Sequence, residues 1–192
     1  MENLNDDIKL VDIEERTFYL NTGVDSEAIT ESIIGILKIN SYDDKQEEKL
    51  KDYERKPIKV IVDSFGGIVY DGMGLVNAIT SSKTPVHTYC YSKGMSMGLL
   101  IFISGHKRFI HEHATLMFHQ LSSMTYGTNQ DILEDAENNN KLNNMLMKIV
   151  KKRTKITEEQ IKEKNERKQD WFFTGKKAIK LGAADKLIKD AI

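Results

Sequence analysis

The chain has 192 residues, 40% of them hydrophobic, which suits one domain (residues 1–192) with a sizeable core. Its 28 Lys and Arg nearly balance 29 Asp and Glu, and a net charge of -1 gives no electrostatic reason to expect nucleic acid or an anionic membrane as partner. The single cysteine, Cys90, excludes an intrachain disulfide and fits a reducing compartment. Met1 to Asp7 lacks the basic start and apolar stretch of a signal peptide. The longest apolar run, Met97 to Ser104, falls far short of the ~20 residues that span a bilayer. The expectation is a soluble, cytoplasmic protein, and no Cys/His spacing suggests zinc.

Arg16 to Leu20 is rich in β-formers and stops near Gly23, so it reads as a strand. Asp25 or Ser26 can cap a following helix, with Ile29, Ile33, Ile36 and Leu37 along one apolar stripe. Residues 41–57 then crowd charges of both signs and read as a solvated insertion, either a loop or an exposed helical extension. Ile58 to Val62 is a nearly continuous β-branched run, as in a buried parallel strand. Ser64-Phe65-Gly66-Gly67 follows, then a helical pattern through Met73, Leu75, Val76 and Ile79.

Pro85 to Cys90 reads as another strand, then a Gly/Ser/Met turn and the apolar helix Met97 to Ser104. Strands are expected over 108–111 and 115–118. This alternation argues for βαβ units and a largely parallel sheet. Thr128 to Asp131 resembles a capping box, opening a long polar helix over about 128–152 with an incomplete apolar stripe. Such a helix can project from the body and bury its face on a neighbouring subunit. Thr157 to Gln160 is a second capping box, stapled by Ile156 and Ile161. A short helix over 174–181 ends at Gly182, and 184–188 reads as a closing strand.

Gly94-Met95-Ser96-Met97-Gly98 fits Gly-x-Ser-x-Gly between a strand and a helix, the context of a nucleophile elbow. Small neighbours allow a sharp turn and substrate approach, and N–H groups opening the helix can stabilise an oxyanion. The same pentapeptide also fits a tight turn in which Ser96 is only a small polar cap. His119 ends an apolar run, where it suits either a sheet-edge active site or a satisfied core histidine. His87 lies within a strand, and His106, His111 and His113 sit in or beside a basic segment. Gly66-Gly67 leaves backbone N–H groups free for an anion or oxyanion, or makes an ordinary βα turn. It is not a phosphate loop, because no Lys-Ser/Thr follows.

Taken in order, Asp63-Ser64-Phe65-Gly66-Gly67, Ser96-Met97-Gly98 and Phe118-His119-Gln120 resemble the proteolytic subunit of the Clp protease. That family shows a Ser-Pro-Gly-Gly turn, an Ala-Ser-Met-Gly segment and a Met-Ile-His-Gln-Pro segment, and the gap from the second glycine to the serine also matches. The resemblance runs from about Arg16 to Ile188. It implies a ClpP/crotonase-like α/β fold of repeated β-α-β units in a superhelix, with the long helix as a projecting handle.

The family's acidic member precedes a Phe-containing segment, which Asp170-Trp171-Phe172-Phe173-Thr174 resembles. Asp185 in Gly182-Ala183-Ala184-Asp185 is a weaker candidate. The resemblance implies Ser96 as nucleophile, His119 as base, Asp170 as orienting acid, and the N–H groups of Gly67 and Met97 as oxyanion hole. It implies two stacked heptameric rings of identical subunits, a tetradecamer. It implies peptide and protein substrates, no cofactor in this subunit, and an AAA+ unfoldase as the partner that uses ATP.

Departures are Phe65 and Leu121 where the family has proline, Lys93-Gly94-Met95 for Gln-Ala-Ala, and the insertion. About fifteen residues precede the first strand, fewer than the family's segment that forms axial loops, so unfoldase coupling is less directly implied. A crotonase-like acyl-CoA enzyme would use the two oxyanion N–H groups without needing Ser96, His119 and Asp170 together. A non-catalytic ring subunit that modulates an active paralogue usually lacks one or more of the three. A signal-peptide-type peptidase would need a membrane segment and a Ser/Lys dyad.

Overall fold

The computed structural model describes residues 15–167 and 169–190. The expectation of no signal peptide concerns residues 1–7, which lie outside the described residues. β1 (Thr17–Leu20) leads into α1 (Ser26–Lys49), where the Asp25 side chain accepts the Ala28 N–H as N-cap. Next come β2 (Ile58–Val62), α2 (Val69–Ser81) and β3 (Val86–Cys90). A short β4 (Lys93–Met95) precedes α3 (Met97–Ile103), followed by β5 (Lys107–Ile110) and β6 (Thr115–Phe118). The chain continues through α4 (Asn129–Arg153), α5 (Glu158–Glu166), β7 (Trp171–Thr174), α6 (Gly175–Lys180) and β8 (Lys186–Leu187).

The main sheet has the order β1-β2-β3-β5-β8, and every pairing in it is parallel. A second sheet has the order β4-β6-β7, parallel between β4 and β6 and antiparallel between β6 and β7. Ile58, Val60 and Val62 of β2 are fully buried on the core face of the main sheet. All seven residues of α3 are buried, so this helix lies in the middle of the core. The opposite sheet face carries Tyr19, Ile61, Tyr89 and Phe109 in one register row, with the Tyr89 and Phe109 rings stacked at 4.7 Å. Tyr19 on this row is 61% exposed.

The charged run after the first apolar stripe is helical to Lys49, so α1 is longer than a stripe ending at Leu37 implies. Nor is the run wholly solvated. Asp43 is fully buried, and both carboxylate oxygens meet the Arg16 guanidinium at 2.7 and 2.9 Å. Tyr53 and Thr84 donate further hydrogen bonds to it, at 2.6 Å each. Burial pushes the Asp43 carboxyl up, but these donors together outweigh it and hold the group below the usual carboxylate range. Arg55 folds back onto Asp44 and Glu47 and donates to the Thr84 hydroxyl at 3.1 Å, which ties the segment to the body.

α4 is mostly exposed, with only Leu146 and Val150 of its described residues buried. Its last residue docks it, because Arg153 donates to the carbonyls of Ile103 (2.9 Å) and Ser104 (2.8 Å) at the end of α3. Both expected capping boxes are formed, and Ile156 and Ile161 are buried as the staple requires.

Candidate active site

The three-stranded sheet assembles the site by register. Ser96 directly follows β4, His119 directly follows β6, and Asp170 directly precedes β7. Met95 pairs with Met117 across β4 and β6, and Phe118 pairs with Trp171 across β6 and β7. One step beyond these pairs, Ser96, His119 and Asp170 leave the same end of the sheet. The Ser96 N–H donates to the Met117 carbonyl at 2.9 Å, which fixes the turn on β6.

Ser96 has φ 52° and ψ -122°, a conformation that costs a non-glycine residue about 1–3 kcal/mol. It turns the chain from strand to helix within one residue and leaves Oγ 2.8 Å from Nε2 of His119. The other ring nitrogen, Nδ1, lies 4.0 Å from Oδ1 of Asp170. The Asp170 side chain is 54% exposed. Asp185 is elsewhere: the Arg108 guanidinium holds it with two hydrogen bonds at 2.6 and 2.9 Å. His106 uses Nδ1 to accept the Val86 N–H, and burial lowers its pKa. His87 packs against Phe109 on the sheet, and burial lowers its pKa as well.

Gly67 and Met97 line the same cavity of about 290 Å³ as Ser96 and His119. Met97 is the first residue of α3, where N–H groups have no intrahelical acceptor. The remaining walls are largely apolar, with Ile68, Leu100, Phe118 and Leu146 among them. Gly66 has φ +99°, and a Cβ there would meet the Met95 carbonyl and the Ser96 Cβ at 2.7 Å. Only glycine allows this approach to the serine.

Cys90 takes no part, since burial pushes its thiol up to about 12. Among the described residues, no group of three or more His, Cys, Asp or Glu could hold a metal ion.

Sequence reasoning missed β4, reading Lys93 to Met95 as a turn, and so missed the pairing that puts Ser96 beside His119. It also missed Asn143 of α4, which lines the cavity and accepts the Leu121 N–H through Oδ1 at 3.2 Å. Neither residue type nor spacing signals that contact, which crosses from the handle to the chain after His119.

A strained serine at a strand-to-helix turn, set against a histidine on an α/β scaffold, is an arrangement that can activate a serine hydroxyl. The sequence model of the Clp protease family matches residues 5–191. The chain belongs to the Clp protease family. It is 28% identical over 178 residues to an ATP-dependent Clp protease proteolytic subunit of Deinococcus radiodurans, covering 92% of this chain and 81% of that protein. It is 34% identical over 139 residues to proteolytic subunit 2 of Chlamydia abortus, covering 71% and 67%. It is 29% identical over 191 residues to proteolytic subunit 2 of Corynebacterium diphtheriae, covering 98% and 90%. No described helix is long and apolar enough to cross a membrane.

Proposed function

We propose that this chain is a serine endopeptidase subunit of a Clp-type proteolytic ring in the cytoplasm. The observation that carries the reading is the 2.8 Å contact between Ser96 Oγ and His119 Nε2 at a strained elbow. Ser96 attacks the peptide carbonyl, and His119 takes its proton and returns it to the leaving amine. Asp170 orients the imidazole and stabilises the imidazolium once its 4.0 Å separation closes in the loaded site. The N–H groups of Gly67 and Met97 receive the developing oxyanion, and losing one such donor costs about 2.7–4 kcal/mol of transition-state stabilisation. The apolar cavity beside Ser96 suits an apolar side chain of the substrate.

Two features support assembly into stacked heptameric rings. α4 leaves Ile132 and Leu133 exposed at 44% and 65%, which suits burial against another copy. The main sheet is all parallel yet half-open on its Tyr19 face, whereas parallel sheets are normally covered on both faces. An AAA+ unfoldase that uses ATP would deliver folded substrates, and the ring alone would cleave peptides.

The test is intact mass after fluorophosphonate treatment of the assembled protein and of Ser96→Ala. A single adduct on the parent alone is expected. No adduct on an assembled parent would overturn the reading and leave a non-catalytic ring subunit.

A further inference from the structure

The Gly66–Gly67 peptide has glycine on both sides, at φ +99° and +156°, so its two faces can exchange at little steric cost. Phe65 precedes the pair, and no proline ring restrains the turn. One orientation places the Gly67 N–H toward Ser96. The reverse places the Gly66 carbonyl there and repels an oxyanion. Something outside the pair must select between them.

The selection is visible in the hydrogen bonds. The Val24 N–H donates to the Gly66 carbonyl at 2.9 Å, and the Ile68 N–H donates to the Val24 carbonyl at 2.7 Å. The peptide is planar and trans, so its C=O and N–H point in opposite directions. A Gly66 carbonyl turned to Val24 therefore turns the Gly67 N–H away from Val24, to the side where Ser96 and Met97 stand.

Ser64 holds the preceding peptide. Its hydroxyl donates to the Thr22 carbonyl at 2.5 Å and accepts the Gly66 N–H at 3.1 Å. Its own N–H donates to the Lys93 carbonyl, and its carbonyl accepts the Met95 N–H, each at 3.0 Å. Ser64 is 1% exposed, so none of these bonds is traded with water. The hydroxyl thus holds the glycine turn, while the backbone of the same residue ties it to β4, the strand that ends at Ser96.

We infer that Ser64 is a positioning residue that, with the backbone N–H of Val24, fixes the Gly66–Gly67 peptide with its N–H facing Ser96. This rests on the reading of that N–H as an oxyanion donor. Ser64 touches no substrate and acts only through the turn.

The test compares the assembled parent and Ser64→Ala on a fluorogenic peptide and on a peptidyl boronate, whose adduct with Ser96 puts an oxygen where the oxyanion develops. Losing one oxyanion donor outright lowers kcat about 10²–10³-fold, so Ser64→Ala is expected to lose about tenfold or more of kcat with KM unchanged. Boronate affinity should fall by the same factor as kcat, which a merely structural role would not produce. Should Ser64→Ala fail to assemble, replacing Val24 by its α-hydroxy acid deletes the one N–H and keeps the side chain, with the same expected split. An unchanged kcat and boronate affinity in the variant that assembles would overturn the inference. A parent that neither cleaves the peptide nor binds the boronate would instead overturn the peptidase reading itself.

Discussion

His119 stands 4.0 Å from the Asp170 carboxylate through Nδ1, beyond hydrogen-bond reach, while its Nε2 is already 2.8 Å from Ser96. In the proposed mechanism the pair that exchanges a proton is already in contact, and the acid proposed to orient it is one small movement away. Asp170→Asn leaves the shape of the site intact but cannot stabilise an imidazolium. Its kcat on a fluorogenic peptide should fall by about 10²–10⁴, up to the loss seen when a buried triad aspartate is amidated. Steady-state kinetics checks this, and a loss below about tenfold would assign Asp170 no part in the reaction.

Gly66→Ala would put a methyl group 2.7 Å from both the Met95 carbonyl and the Ser96 Cβ. Neither neighbour is the free end of a flexible chain, so the elbow itself has to move. Fluorophosphonate labelling of Ser96 should drop by at least about a hundredfold in rate while the far-ultraviolet circular dichroism is preserved. Labelling at the parental rate would show that the turn yields elsewhere.

Asp43→Ala leaves the Arg16 guanidinium buried without its carboxylate, with Arg16 itself only 7% exposed. Breaking a buried pair by removing one partner costs about 3–5 kcal/mol, and urea unfolding of the variant should show a loss of that order. A loss under about 1 kcal/mol would mean that water reaches the cation.

The same carboxylate makes stability depend on pH. Its folded pKa lies below that of an unfolded aspartate, about 3.9, so its contribution is complete above that value and is lost as pH falls through the folded pKa. Asp185 is displaced in the same direction. Burial pushes it up, and the Arg108 pair more than compensates. Urea midpoints between about pH 3 and about pH 6 should fall toward the acid end in the parent and change less in Asp43→Asn. Parallel curves would exclude the pair as the source of acid sensitivity.

Leu133→Asp places a charge on the most exposed large apolar side chain of α4, at 65%. If the handle meets another copy, sedimentation velocity should show smaller species than the parent at equal concentration, with the subunit still folded. An unchanged sedimentation coefficient would remove α4 from the ring-to-ring contact.

Elements that announce themselves locally were legible in the sequence. Ile58 to Val62 is β-branched at every position but Lys59, and Thr157 with Gln160 and the flanking isoleucines spells a helix start within six residues. β4 was not legible, since three residues with a central glycine carry no period and become a strand only by pairing with β6. The burial of Asp43 was hidden for a similar reason, because its cation comes from 27 positions away and composition cannot single out one carboxylate among many. Sequence likeness ranked Asp170 ahead of Asp185, but only the register of β6 and β7 sets one beside His119, and only Arg108 removes the other.

The backbone of Ser96 sets stability and chemistry against each other. Any residue with a side chain is strained at φ 52°, ψ -122°, and the fully buried α3 behind it holds that conformation in place. Glycine would relax there, so Ser96→Gly should melt higher than the parent while losing the hydroxyl proposed as nucleophile. Under the proposed mechanism a more durable protein and a working one are different sequences at this position, and a stabilising screen run without an activity readout would favour the inert one.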